Sequence, residues 1–488
     1  MTRKLLFLVL ASSLTLGAAV DAMAGTGKVV IVNADSAGTG FNDPTPVEPI
    51  GGNNGTTLGQ QRLNVFEAAA ARWTTMLDTN VDVIARATFS PIAAPCTADS
   101  AVLGQAGPSR WLRDFANAPR AGVWYPIALA NKFAGTDLGP TIADINVQFN
   151  AAVDNQTCLG ASDWYYGFDG NNGGDSDLYV VVLHELAHGL GIAGAVRSPG
   201  FLEGKPAVFD THLLDVSAGL RWDQMSDAQR LVSQTNTANV VWDGENVRNF
   251  VARYLQPLTM LTITEPSIVA KNYDIGFADF GAPGNTAPLT GRVVRAVDAA
   301  NTDGTSINDA CTALTNAAAM TGNVAFIDRG SCTFVQKARN AQNAGATAVI
   351  IGDRIESYTE DNPATCLPPG MTGQDAGDIT IPVISIGIND ANALKTQFTA
   401  NATVSGLLRK DSTQLAGASK EGFVRVYAPC TDDPGSSIHH WDSVATPNLL
   451  MEPAVNSDLL HGVDLTIYQL LDIGWTLPPR TGRTILKR

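Results

Sequence analysis

Histidine is scarce in this chain, with six among 488 residues. A site built on imidazole must therefore draw on His184, His188, His212, His439, His440 or His461. Positive charge is also short. Lys and Arg number 32 against 47 Asp and Glu, for a formal net charge of −15, which argues against nucleic acid or an anionic membrane as the main partner. Beyond residue 24 there is no uninterrupted run of 18 apolar residues, so no stable membrane anchor is expected in the mature protein. None of the six cysteines forms a C-x-x-C pair, which weakens the case for a cysteine–zinc site. Tandem repeats and long low-complexity tracts are absent as well.

What is present describes an ordered protein. Apolar residues make up 45% and charged residues 16% of a chain long enough for two or three hydrophobic cores. The carboxylate excess is compatible with bound calcium, although no motif points to it. Arg3 and Lys4 precede an apolar run that ends before Ala22-Met23-Ala24, a small-x-small cleavage site. This is the layout of a signal peptide over residues 1–24, and it predicts export to the extracellular space or periplasm. In an exported chain the six cysteines read as disulfides. Proximity favours Cys96–Cys158 and Cys311–Cys332, leaving Cys366–Cys430.

Residues 29–33 and 81–89 are rich in β-branched residues and read as strands, as do 124–129 and 142–150. Leu63, Phe66, Ala70, Trp73 and Leu77 step by three and four, which predicts a helix with one buried face. A second helix is expected over 177–190, with Asp175, Ser176 and Asp177 as N-cap candidates. From residue 282 to about 407 the texture changes to strands at 291–297, 323–328, 346–352 and 379–388, with helices at 333–343 and 389–398. This alternation predicts a separate α/β or open-barrel unit. A last helix is expected around 465–471.

The chemistry centres on His184-Glu185-Leu186-Ala187-His188. Positions i and i+4 share one helical face, so both imidazoles can reach a single ion. Zinc suits imidazole nitrogen and, in catalytic sites, keeps one position for water. Glu185 beside the first ligand is then placed to act as general base. Gly189 and Gly191 follow, and the helix should stop at Gly191 with a sharp turn. The continuation resembles the metzincin pattern H-E-x-x-H-x-x-G-x-x-H, but its final position is Gly194. The third ligand must come from elsewhere, with His212, His439, His440 and His461 as the candidates.

His440-Trp441-Asp442, followed 11 positions after His440 by Met451 within Asn448-Leu449-Leu450-Met451-Glu452-Pro453, resembles the leishmanolysin-like metzincins. That resemblance implies His440 as third zinc ligand and Met451 as the structural Met-turn residue beneath the metal. It extends to Trp164-Tyr165-Tyr166-Gly167 and to Asp464-Leu465-Thr466 with Asp472-Ile473-Gly474-Trp475. Within the inserted unit, Ile327-Asp328-Arg329-Gly330-Ser331-Cys332-Thr333-Phe334, Lys337-Ala338-Arg339-Asn340-Ala341 and Ile381-Pro382 resemble a protease-associated domain. Such a domain is expected to shape substrate access or protein contacts rather than to catalyse.

The expectation is an α+β fold: a zincin/metzincin-like catalytic domain, mixed sheet plus active-site helix, with an inserted α/β protease-associated domain. The catalytic domain would run over 25–281 and 408–488, around an insert at 282–407. The expected function is that of a secreted monozinc endopeptidase acting on proteins or peptides, with a substrate-pairing edge strand at 144–150. An exported zinc-scaffold binding protein without turnover and a two-metal aminopeptidase are the competing readings. The oligomeric state and the substrate-binding residues have no signal in the sequence.

Overall fold

The computed structural model describes residues 25–479 except 94–95, 98–100, 156, 161, 198–199, 279, 283–288, 301–305, 356–365, 372, 374–375 and 456–458. The expected signal peptide, residues 1–24, lies outside the described residues. Among those described, no helix is long and apolar enough to cross a membrane.

The first sheet has four strands in the order Val29–Asn33, Val83–Phe89, Ile145–Phe149, Gly104–Pro108. The first three are parallel neighbours and Gly104–Pro108 runs antiparallel at the edge. Helix Leu58–Met76 packs on this sheet through Val65, Phe66, Ala69, Ala70 and Trp73, all buried. Leu63, assigned to that face from its spacing, is only half-buried. Phe66 meets Phe149 edge-on at 4.8 Å and Phe41 at 4.7 Å, so aromatic packing fixes the helix on the strands. The extended segment expected at 124–129 is instead a two-residue strand, Tyr125–Pro126, running straight into helix Ile127–Ala134. Its apolar run is buried as a helix, which an apolar stretch of this length cannot distinguish from a strand.

Helix Leu178–Leu190 lies against the same sheet. Asp177 caps it by accepting from the N–H groups of Tyr179 and Val180 at 3.0 and 3.4 Å. Gly191, at φ 128°, ends it, and a side chain there would meet Ile473 and Pro126. The indole N–H groups of Trp73 and Trp475 donate to the carbonyls of Leu183 and Leu190, fixing the helix from both sides. Gly189 faces Ile145 so closely that a Cβ would overlap the isoleucine side chain.

A second four-stranded sheet runs Leu220–Arg221, Leu213–Asp215, Val240–Trp242, Val424–Arg425. Its last pairing joins segments from before and after the insert. The insert itself is an eight-stranded sheet whose centre is three parallel pairings through Leu289–Arg295, Val324–Asp328, Ala348–Gly352 and Val383–Ile386. Two apolar clusters cover its faces. This sheet also takes in Pro257–Glu265, Lys271–Tyr273 and Gly276–Phe277, so the expected boundary at 282 falls inside it. The expected end near 407 falls within strand Val404–Leu415, which pairs antiparallel with Pro257–Glu265. The chain therefore leaves and returns through one antiparallel pair. Cysteines pair as 96–158, 311–332 and 366–430, as proximity favoured. The third pair ties the insert to the segment after it.

The approach of Gly189 to Ile145 gives a stability prediction. Gly189→Leu should lower the thermal midpoint through overpacking that costs about 1–3 kcal/mol or more, whereas Gly462→Ala, in open space, should leave it within a degree or two. Differential scanning fluorimetry of both variants checks this.

Candidate metal centre

Three of the six histidines converge. His184 and His188 stand one turn apart on helix Leu178–Leu190, and His440 reaches them from the loop before Trp441. Their Nε2 atoms are 3.1, 3.2 and 3.2 Å from one another. Each Nδ1 meets a backbone carbonyl: His184 that of Leu450 at 2.6 Å, His188 that of Ile192 at 2.7 Å, His440 that of Ser436 at 2.7 Å. A carbonyl only accepts, so each Nδ1 carries the proton and donates, and each neutral ring turns its Nε2 lone pair inward. Burial pushes the imidazolium forms down, to about 3 for His184 with His188 adding to the effect, and well below the ordinary range for His440. His188 is lowered by burial too.

Three inward lone pairs in a buried space repel one another unless a cation lies between them. The spacing fits zinc. Bonds of 2.0–2.1 Å in tetrahedral array put ligand nitrogens about 3.3 Å apart, close to the separations here. Among the described residues this is the one group of three or more such donors close enough together to hold an ion.

Glu185 follows His184 on the same turn and is 6% exposed. Burial raises its carboxyl to about 8, against a lowering hydrogen bond from the Ala106 N–H. That N–H belongs to edge strand Gly104–Pro108. A Cβ at Gly104 would stand 3.0 Å from Glu185 Cγ and 3.2 Å from its Oε1, so any side chain there would press on the carboxylate. The edge next to the site is thus Gly104–Pro108. The strand expected to be the edge, Ile145–Phe149, is interior, paired on both sides.

Met451 is buried in the main core, and its carbonyl accepts from the Trp441 N–H at 2.7 Å, which joins the turn to the residue after His440. Asp464 accepts from the Leu450 N–H at 2.6 Å, so it holds the residue whose carbonyl orients His184. The other three histidines are not part of this group. His212 pairs with Asp243 at 3.6 Å and stacks on Trp242, and His461 pairs with Asp177 at 3.2 Å. His439 is buried beside Phe209. Three supports had no sequence signal: the carbonyls of Ile192, Ser436 and Leu450 are backbone groups, blind to side-chain identity.

Comparison with known proteins places parts of the chain. Residues 289–394 match the PA domain family, and residues 52–240 match a family described as SPBPB7E8-like. Aminopeptidase YwaD of Bacillus subtilis (strain 168) is 36% identical over 99 residues, 20% of either chain. Vacuolar-sorting receptor 1 of Pisum sativum is 32% identical over 146 residues, 30% of this chain and 22% of the receptor. ER degradation-enhancing alpha-mannosidase-like protein 3 of Homo sapiens is 42% identical over 77 residues, 16% of this chain and 8% of that protein. A solved zinc aminopeptidase from Bacillus subtilis covers 35% of this chain and 37% of its own at 24% identity, with a TM-score of only 0.21. The chain thus spans less than a quarter of the length of these curated relatives. It is a mixed α+β protein with a PA domain, similar over a fifth of its length to Aminopeptidase YwaD. None of the matches named here is a leishmanolysin-like metzincin.

The raised Glu185 carboxyl has a stability signature in metal-free protein. A buried acid whose folded pKa is about 8, against an ordinary 4.5, holds its proton when folded and releases it when unfolded, so stability falls as pH rises across that window. In excess chelator, Glu185→Gln should therefore gain on the wild type between pH 5 and pH 8. Urea midpoints at both pH values check this, and a constant difference would contradict it.

Proposed function

We propose that the chain is an exported, monozinc endopeptidase of the leishmanolysin-like metzincin type, with His184, His188 and His440 as ligands and Glu185 as general base. The observation that carries this reading is the convergence of three Nε2 atoms to 3.1–3.2 Å, each ring oriented by a carbonyl behind it. The catalytic unit would comprise residues 25–256 and 416–479, with the PA-containing insert between them. The insert's role would be to shape substrate access, and residues 1–24 would direct export.

Zinc, when bound, supplies Lewis acidity towards a water, whose pKa it brings to about 7, and towards a peptide carbonyl. The protein's own groups do the rest. Glu185 takes a proton from the attacking water and passes it to the nitrogen of the departing amine. The outer edge of Gly104–Pro108 offers main-chain groups to an extended peptide, giving affinity with little demand on side chains. Met451, buried and joined through its carbonyl to the Trp441 N–H, would keep the floor of the site apolar.

The similarity to an aminopeptidase favours a second reading, a two-metal exopeptidase. Such a site needs a second ion and a carboxylate shared between the two. The donor set here is three imidazoles with one carboxylate beside them, which fits one ion better than two. A zinc-holding binding protein without turnover is the remaining outcome.

Glu185→Ala should lower hydrolysis of a protein substrate by about 10²–10⁴ while zinc per chain stays at one by elemental analysis. His440→Ala should lose the zinc. Two metals per chain, or hydrolysis confined to free N-termini, would favour the aminopeptidase. Undiminished activity in Glu185→Ala would remove Glu185 from its role.

A further inference from the structure

Lys337 lies on helix Phe334–Asn343 of the PA domain and is 0% exposed. Its Nζ donates to the Asp309 carbonyl at 2.6 Å and stands 3.5 Å from Sγ of Cys311, one half of the Cys311–Cys332 disulfide. Burial lowers its ammonium to about 8, against a raising effect from Asp309, so at pH 7 a buried positive charge faces a disulfide sulfur. A neutral sulfur is a weak acceptor and gains little from that charge. A thiolate in the same place gains much more. The two sulfurs also differ in access. Cys311 is 3% exposed, whereas Cys332 is half-buried between exposed Ser331 and Thr333. Ser331 has φ 62°, a conformation that residues other than glycine seldom adopt, so the Cys332 side holds backbone strain that opening can release. The Cys311 side is docked independently of the bond. Gln336 and Asn340 donate to the carbonyls of Cys311 at 2.7 Å and Ala310 at 2.8 Å, beside the Lys337 contact.

We propose that Cys311–Cys332 is a reversible thiol-exchange site, attacked at Cys332 by a small external thiolate, with Lys337 stabilising the Cys311 thiolate that leaves. In this step the incoming sulfur bonds to Cys332 Sγ as the Cys332–Cys311 bond breaks, and the electron pair of that bond passes to Cys311 Sγ. One thiolate enters and one is released, so charge balances and no proton needs to move. The more acidic the leaving thiol, the faster it leaves, and a neighbouring lysine lowers a thiol's pKa. Lys337 therefore speeds opening and stabilises the opened form. Because Gln336, Lys337 and Asn340 still hold residues 309–311 on the helix, the Cys311 thiolate stays near Cys332. It can attack the mixed disulfide, expel the external thiolate and restore the original bond. The product is a PA domain that carries a thiol adduct on its surface side and a buried thiolate–ammonium pair beneath. Nothing in this chemistry involves the metal centre.

The test incubates the full-length, oxidised protein with β-mercaptoethanol at pH 7, quenches it with iodoacetamide at intervals and maps the cysteines by peptide mass spectrometry. Cys96–Cys158 and Cys366–Cys430 serve as internal references. The expected result is that Cys311–Cys332 opens first, with the mercaptoethanol adduct on Cys332 and the alkylated thiol on Cys311. Lys337→Met should slow that opening by about threefold or more and leave both reference bonds unchanged. Gln336→Ala, which loosens the same loop without removing the charge, should not slow it. An adduct on Cys311, undiminished opening in Lys337→Met, or equal slowing in Gln336→Ala would overturn the proposal. If Lys337→Met does not fold, the wild type decides alone. Opening ahead of both references with the adduct on Cys332 supports the site, and any other pattern overturns it.

Discussion

Three imidazole rings are each pinned at Nδ1 by a main-chain carbonyl, and most of the molecule's arrangement can be traced to that constraint. The carbonyls belong to Leu450, Ile192 and Ser436, and each lies in a segment held by its own contacts. Ile192 follows the glycine that stops the helix, with its N–H returning to Ala187. Leu450 is held by Asp464, which also accepts from the Thr466 N–H at the start of the final helix. Ser436 lies in a turn closed by Asp433, whose carbonyl accepts from the Ser436 and Ser437 N–H groups. Because the anchors are backbone atoms, what the fold must conserve is the path of the chain at three places, and many side chains can serve that end.

The parts of this arrangement that could be read from sequence are those with a local period. The i, i+4 spacing of His184 and His188 needs only a helix, and the Asp177 cap and Gly191 stop are equally local. Strand Gly104–Pro108 could not be read that way. Its residues, Gly-Gln-Ala-Gly-Pro, carry the composition of a loop, and it is a strand only because Ile145–Phe149 offers it a ladder and Glu185 needs space beside it. The reach of the insert's sheet beyond 282–407 was hidden for a related reason. Pro257–Glu265 belongs with Val404–Leu415 through a pairing that spans most of the insert, and no local pattern reports a partner so distant. Among the candidates for third ligand, His212 drew attention by closeness in sequence, while its ring pairs with Asp243 and stacks on Trp242.

The insert is joined to its host more tightly than two strands would require. Cys366–Cys430 crosses from the insert to a residue ten positions before His440. Arg425 pairs with Asp274 at 2.8 Å from a strand that itself pairs with Val240–Trp242. Burial lowers the pKa of half-buried Arg425, but the Asp274 and Asp442 carboxylates outweigh it and raise it, while Asp274 stays about a third exposed, so water partly screens this pair. Both ties land on the segment that carries the third histidine. The insert is therefore tied directly to the segment before Trp441.

The separation of His188 and His440 by 252 positions has a consequence in time. At about 5–20 residues per second, a ribosome needs roughly ten to fifty seconds to pass from one to the other. Throughout that interval the growing chain holds the helix pair without its partner, while the whole insert is made and must close on its antiparallel stalk. Placing the third histidine late thus delays assembly of the centre until nearly all of its surroundings have been synthesised. Chain order itself acts as a clock on when the centre can form.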